Sequence, residues 1–207
     1  MITNEEEARA FCAARCDADG MARIERFAGM LAEENARQNL VSAASLETVW
    51  QRHMADSLQL LDYAGDGVGP WLDLGSGPGL PGLVLALARP NMPIGLVESR
   101  RKRFEWLEQV KGEFGLSNCT VHGKRLEHVD SCETGVITAR AFAPLDKLLR
   151  LSARFSTRST IWLLPKGRSA AQELSEQPHA TRQMFHVEQS QTDAEAAILV
   201  GKGKPAP

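Results

Sequence analysis

The chain has 207 residues, 43% of them hydrophobic and 24% charged, with a formal net charge of −2. This suits one globular domain with a sizeable core and excludes both a disordered chain and a uniformly basic nucleic-acid binder. The longest apolar runs, such as residues 82–88, fall far short of the roughly 20 residues a membrane span needs. With acidic Glu5, Glu6 and Glu7 at the start, no anchor or secretion signal is expected and the location predicted is cytoplasmic.

Ile24, Phe27, Met30 and Leu31 recur at helical spacing, and Leu46, Val49, His53, Leu58 and Leu61 continue a broken helical pattern. The first 65 residues therefore read as a helical extension, and residues 66–207 as a second unit. In the later part of the extension, Arg52, His53, Asp56 and Ser57 lie within about one and a half helical turns. His53 and Asp56, at i and i+3, can hydrogen-bond each other, and the group reads either as a clamp onto the following domain or as substrate contact. Residues 65–70 are a turn-rich joint.

Beyond the joint, short apolar runs alternate with amphipathic stretches, the pattern of a mostly parallel α/β sheet with helices on both faces. Seven strands are predicted, at 71–74, 94–98, 119–122, 135–139, 160–164, 183–187 and 196–200. The first runs from Trp71 through Asp73 into a glycine-dense turn holding Gly75, Gly77, Gly79 and Gly82, after which Leu80, Leu83, Val84 and Leu87 form a helical stripe. Glycines let a ligand approach the backbone closely. Glu98 closes the second strand, where a carboxylate can accept from two ribose hydroxyls. A nucleoside-binding crevice is the expectation.

Gly77, Gly79 and Gly82 also satisfy the dinucleotide pattern G-x-G-x-x-G, so an NAD-binding dehydrogenase is an alternative. Pro78 and Pro81 count against it, because a pyrophosphate depends on loop N–H donors that proline lacks. S-adenosylmethionine has no phosphates. Its sulfonium and amino-acid end can be served by Asp73 and by loop backbone groups.

Arg100, Arg101, Lys102 and Arg103 open the next helix, whose stripe is Phe104, Leu107, Val110 and Phe114. Cations at a helix N-terminus are electrostatically unfavourable, which hints at phosphate contact, although an exposed face is the commoner explanation. Cys119, His122, His128 and Cys132 make a zinc-like string, but strand alternation places Cys119 and His122 on opposite faces, so no metal is expected. With Cys12 and Cys16, these cysteines form no C-x-x-C pair, and reduced thiols fit.

Arg140 follows the fourth strand at its carboxyl end, where open α/β sheets place ligands. It reads as orienting a base or phosphate, or as an ion pair with Asp146 or Glu127. Lys166 and Arg168 follow the fifth strand, again on the ligand side. Charge is uneven along the chain: residues 100–168 carry 14 Lys/Arg against 7 Asp/Glu, a net of +7, whereas residues 1–99 carry 7 against 14. If those cations share a face, it binds phosphate.

The string from Asp73 through Gly82 resembles the first motif of the ribosomal RNA small subunit methyltransferase G family, also called glucose-inhibited division protein B. Matches in order along the chain are Asn39-Leu40, Arg52-His53 with Asp56-Ser57, residues 96–99 around Glu98, Arg125 to Glu127, Ala139 to Phe142 and Lys166-Gly167. Pro165 stands where an apolar residue is more usual in that family. The resemblance implies a class I methyltransferase fold and methyl transfer from S-adenosylmethionine to N7 of one guanine in 16S ribosomal RNA. It further implies that Gly75 and Leu80 contact the cofactor, that Leu126 and Glu127 line its adenine end, and that Arg140 closes the transfer site. Glu127 can equally be a helix N-terminal carboxylate. A methyltransferase of the same fold acting on a small molecule or protein is the alternative.

Guanine N7 is an unprotonated acceptor, so its attack on a sulfonium methyl needs no general base. Alignment near 3 Å can contribute on the order of 7 to 11 kcal/mol. No catalytic acid or base is therefore expected. RNA-contact candidates are Arg52, His53, Arg101, Lys102, Arg140, Lys166 and Arg168. The RNA partner is free 16S RNA, a small subunit or an assembly intermediate, and nothing demands more than a monomer.

Overall fold

The computed structural model describes residues 1–65 and 68–205, so positions 66 and 67 of the predicted joint lie outside the described residues. Helix α1 spans Glu5–Ala13 and α2 Ala18–Gln38. Asn4 and Asp17 cap them by accepting from the backbone N–H of Glu7 and Gly20, and Glu5, Glu6 and Glu7 complement the helix dipole. Then α3 (Ala43–Glu47) leads into a π-helical segment, Trp50–Ala55, which continues through α4 (Asp56–Leu58) toward α5 (Leu61–Ala64). Of the predicted clamp residues, Arg52 and His53 thus sit on a wide turn, a form concentrated at functional sites, and Asp56 and Ser57 directly after it.

Seven strands follow: β1 Trp71–Leu74, β2 Ile94–Val97, β3 Cys119–His122, β4 Val136–Thr138, β5 Ile161–Lys166, β6 Phe185–Gln189 and β7 Ala197–Lys202. Their order across the sheet is β3-β2-β1-β4-β5-β7-β6, with β7 antiparallel to both β5 and β6 and the other pairs parallel. Interposed helices are α6 (Gly82–Ala88), α7 (Arg101–Glu113), α8 (Leu145–Ser152), α9 (Ala170–Ser175) and α10 (His179–Met184). The sixth strand begins two residues later than the pattern predicts, because Gln183 and Met184 belong to α10. Pro165 is tolerated inside β5 because β4 pairs only as far as Leu163, so one edge of β5 needs no N–H there.

Helix α6 departs from the predicted stripe: all seven of its residues are buried. It lies between the sheet and the N-terminal helices, and one hydrophobic cluster runs from Ile24, Phe27 and Leu31 of α2 through Leu83 and Leu87 to Leu96. A second cluster covers the other face, with Leu72 and Leu74 packed among Leu148, Phe155 and Trp162. Each such side chain contributes roughly 1.5–3 kcal/mol on burial. The helical extension and the sheet therefore share a core. Among the described residues no helix is long and apolar enough to cross a membrane.

Candidate cofactor and acceptor site

Between β1 and α6 the chain turns three times through left-handed backbone, at Gly75 (φ +67°), Gly77 (φ +53°) and Gly79 (φ +99°). The loop's amides are engaged internally. Ser76 N–H donates to the Val97 carbonyl, those of Gly79 and Leu80 to the Ser76 carbonyl, that of Gly77 to Glu98 and that of Gly82 to Asp73. With Pro78 and Pro81 lacking N–H groups, little donor capacity is left for a pyrophosphate, which weighs further against the dinucleotide alternative.

Two carboxylates organise the loop. Asp73, fully buried, accepts the Gly82 N–H with Oδ2 at 3.2 Å, while its Oδ1 meets no hydrogen-bond partner. Burial pushes its pKa up to about 6, against the opposing pull of the adjacent Ser76 hydroxyl, the Gly82 amide and the Arg140 charge; that hydroxyl donates to the Asp73 main-chain carbonyl. Glu98, also buried, accepts from Gly77 N–H at 3.0 Å and Arg100 N–H at 2.7 Å, one on each oxygen. Each oxygen keeps a second lone pair, the requirement for gripping two vicinal hydroxyls.

Three features of this loop escaped sequence reasoning. Gly82 admits the Asp73 carboxylate: a Cβ there would lie 2.6 Å from Oδ2 and 2.3 Å from Leu96 Cδ2. Phe142 lies against Gly75, 2.6 Å from where a Cβ would stand. Trp106, outside the predicted helical stripe, donates from its indole to the Pro78 carbonyl at 3.0 Å and so braces the loop. Leu80 is buried just ahead of α6. Leu126 and Glu127 form a 3₁₀ turn after β3, the leucine buried and the glutamate exposed in the first turn.

Beside Phe142, past the carboxyl ends of β4 and β5, opens a cavity of about 930 Å³, lined among others by Ser45, His53, Asp56, Arg140, Lys166 and Glu173. Arg140 does not pair with Asp146 or Glu127. Its Nη1 instead lies 3.3 Å from Asp56 Oδ2, 3.4 Å from the Arg52 carbonyl and 3.5 Å from His53 Nδ1. The expected bond between His53 and Asp56 is absent as well. His53, buried, places Nε2 3.0 Å from Ser45 Oγ. Its burial, with Arg140 and Arg52 alongside, pushes its pKa down to about 3, so the ring is neutral and its Nδ1 can accept.

The remaining RNA candidates divide into two groups. Arg52 pairs with Asp193 and Lys166 with Glu173 at 2.7 Å, both at the cavity, and Arg168 pairs with Glu195 just outside its lining. Lys166 also donates to the Ala143 carbonyl. Arg101 and Lys102 stand apart, exposed at the start of α7, Arg101 bonded to Glu105 one turn on. Of the 14 cations between residues 100 and 168, nine (100–103, 124, 125, 140, 166 and 168) lie at or just past the carboxyl end of a parallel strand, so much of the +7 excess shares one edge. Among the described residues no group of three His, Cys, Asp or Glu side chains could hold a metal ion.

A glycine loop after the first strand of a sheet in this order, with a carboxylate closing the second, defines the class I S-adenosylmethionine-dependent methyltransferase fold. Solved structures share it at low identity. A variant of MtNAS in complex with S-adenosylmethionine superposes with TM-score 0.59 at 17% identity, covering 97% of this chain and 78% of that one. A ribosomal protein L11 methylase from Lactobacillus delbrueckii subsp. bulgaricus gives 0.54 at 12% identity, over 74% and 79% of the two chains.

A family profile described as rRNA small subunit methyltransferase G (GidB) matches residues 21–197, and the chain belongs to that family. It is 62% identical over 204 residues to ribosomal RNA small subunit methyltransferase G of Erythrobacter litoralis, covering 99% of each chain. It is 55% identical over 187 residues to the protein of that name from Sphingopyxis alaskensis, over 90% of this chain and 80% of that one.

Proposed function

We propose that this chain transfers the methyl group of S-adenosylmethionine to N7 of a guanine in 16S ribosomal RNA, acting as a monomer in the cytoplasm. The observation that carries the reading is the amide-poor glycine loop between two buried carboxylates, one of them with an oxygen free of partners. That donor set fits a phosphate-free, cationic nucleoside. Glu98 grips the ribose, Gly75, Gly77, Gly79 and Leu80 wall the loop side, Leu126 and Glu127 border the adenine, and Asp73 faces the positive end. The cofactor supplies an electrophilic methyl carbon. Residues 66–207 form the cofactor-binding unit, and residues 1–65 the extension that closes the acceptor side.

Arg140, at the cavity and 22% exposed at its side chain, orients the guanine or its phosphate by stacking or forked hydrogen bonds. N7 carries no proton, so no base is required, and the neutral His53 has none to take. The test is calorimetry with S-adenosylhomocysteine and with NADH, then tritiated methyl transfer to small ribosomal subunits and mapping of the product. Binding of the first ligand alone and label at a guanine N7 are expected. NADH binding, or label confined to protein, would overturn the reading.

Arg101 and Lys102 touch RNA phosphates in this scheme. Replacing both with alanine flattens the slope of log affinity against log salt by roughly 1.4 to 1.8, at about 0.7 to 0.9 per phosphate. A slope identical to the parent's assigns them to an ordinary solvated helix face. Lys166→Ala, whose ammonium is held by Glu173, shifts thermal stability more than the slope.

A further inference from the structure

We infer that Asp56 is the positioning residue for Arg140, and that the turn between β6 and β7 sets Asp56 in its turn; this rests on the substrate-orienting role given to Arg140. The three acceptors around the guanidinium, the Arg52 carbonyl, His53 Nδ1 and Asp56 Oδ2, all come from one short stretch, the π-helical segment and the residue after it. An ordinary α-turn spaces successive side chains 100° apart and hydrogen-bonds each carbonyl to the amide four residues on. The wider turn relaxes that constraint, so a carbonyl and two side chains from neighbouring positions converge on one cation.

Asp56 alone among the three carries charge, and its other oxygen is held from behind. Oδ1 accepts from Gln59 Nε2 at 2.8 Å and from Thr192 Oγ1 at 2.9 Å. Gln59 is itself fully buried and fixed, with Oε1 accepting the Gln191 N–H at 2.8 Å and Nε2 within 3.3 Å of Ser190 Oγ. The chain of contacts therefore runs from residues 190–192 through Gln59 and Asp56 to Arg140. Gln59, Thr192 and Arg140 all donate to Asp56. A carboxylate can accept from all three, whereas an asparagine in its place turns its own N–H groups toward a donor. The charge is needed for geometry as well as for attraction.

The experiment compares Asp56→Asn, Asp56→Ala, Arg140→Ala and the corresponding double variants. Single-turnover and steady-state methyl transfer to small subunits gives kcat and KM, calorimetry gives S-adenosylhomocysteine affinity, and thermal unfolding is recorded for each. Expected for either Asp56 variant is a fall in kcat of about 10- to 100-fold, the scale of a displaced positioning group. Cofactor affinity stays within about threefold, and in the Arg140→Ala background the Asp56 substitution adds less than about threefold. Thr192→Val gives a smaller loss of the same kind.

Full kcat in Asp56→Asn overturns the inference, as do double variants whose losses multiply. A purely structural Asp56 lowers the unfolding temperature and costs activity equally in both backgrounds. If Arg140→Ala is itself fully active, the orienting role of Arg140 fails; if it is impaired but measurable and the losses multiply, only the role of Asp56 fails. Should Asp56→Ala not fold, the isosteric Asp56→Asn decides.

Discussion

Asp73→Asn protein binds S-adenosylhomocysteine roughly 10- to 100-fold more weakly than the parent, the scale of losing a charged hydrogen bond, yet unfolds at a higher temperature at pH 8. The two effects share a cause. In the folded chain the Asp73 carboxyl is fully buried and its pKa is raised from 3.8 to about 6. A carboxyl held above its unfolded value favours the fold when protonated. That contribution is complete below about pH 4 and is lost as the pH rises through about 6. Above pH 7 the ionised group costs on the order of 3 kcal/mol relative to its protonated form. Asparagine can still accept the Gly82 N–H without carrying charge. Thermal scans from pH 4 to pH 8 should show the variant's advantage growing between about pH 4 and pH 6 and levelling off above that. An advantage that ignores pH, or a variant less stable at pH 8, refutes the account.

Gly82→Ala loses stability and cofactor binding together, with the unfolding temperature lowered by roughly 5–10 °C. Its Cβ would stand 2.3 Å from Leu96 Cδ2 and 2.6 Å from Asp73 Oδ2, both side chains fully buried. Overpacking of this kind costs about 1–3 kcal/mol, and at this chain length each kcal/mol shifts the midpoint by about 2–4 °C. Displacing the Asp73 carboxylate also disturbs the acceptor proposed to face the cofactor. Gly29→Ala, in the exposed middle of α2 with nothing within 4 Å of the added carbon, is the control of opposite sign, gaining up to about 1 kcal/mol from helix propensity. A Gly82→Ala protein as stable as the parent would show that Leu96 and Asp73 yield freely.

Much of this was readable from residues in sequence order, because the physics involved is local. Parallel strands buried on both faces are short apolar runs, and the glycine turn with Glu98 after the next strand needs only spacing to be seen. What escaped depends on partners far apart in the chain. Arg140 finds Asp56 across 84 positions rather than nearby Asp146, and Phe142 meets Gly75 only once β4 lies beside β1. The antiparallel direction of β7 is likewise a matter of topology. Helix α6 was misread for a related reason: an apolar stripe identifies the face toward the sheet, but not that α2 covers the opposite side. The wide turn at 50–55 leaves no mark in periodicity, since its residues are ordinary helix formers.

The amino-terminal segment meets the turn between β6 and β7 behind the cavity. Ile2 donates its N–H to the Gln191 carbonyl, and Gln51 donates to the carbonyls of both Ile2 and Thr192. The amino-terminal segment thereby buttresses the same turn that reaches Asp56 through Thr192 and Gln59.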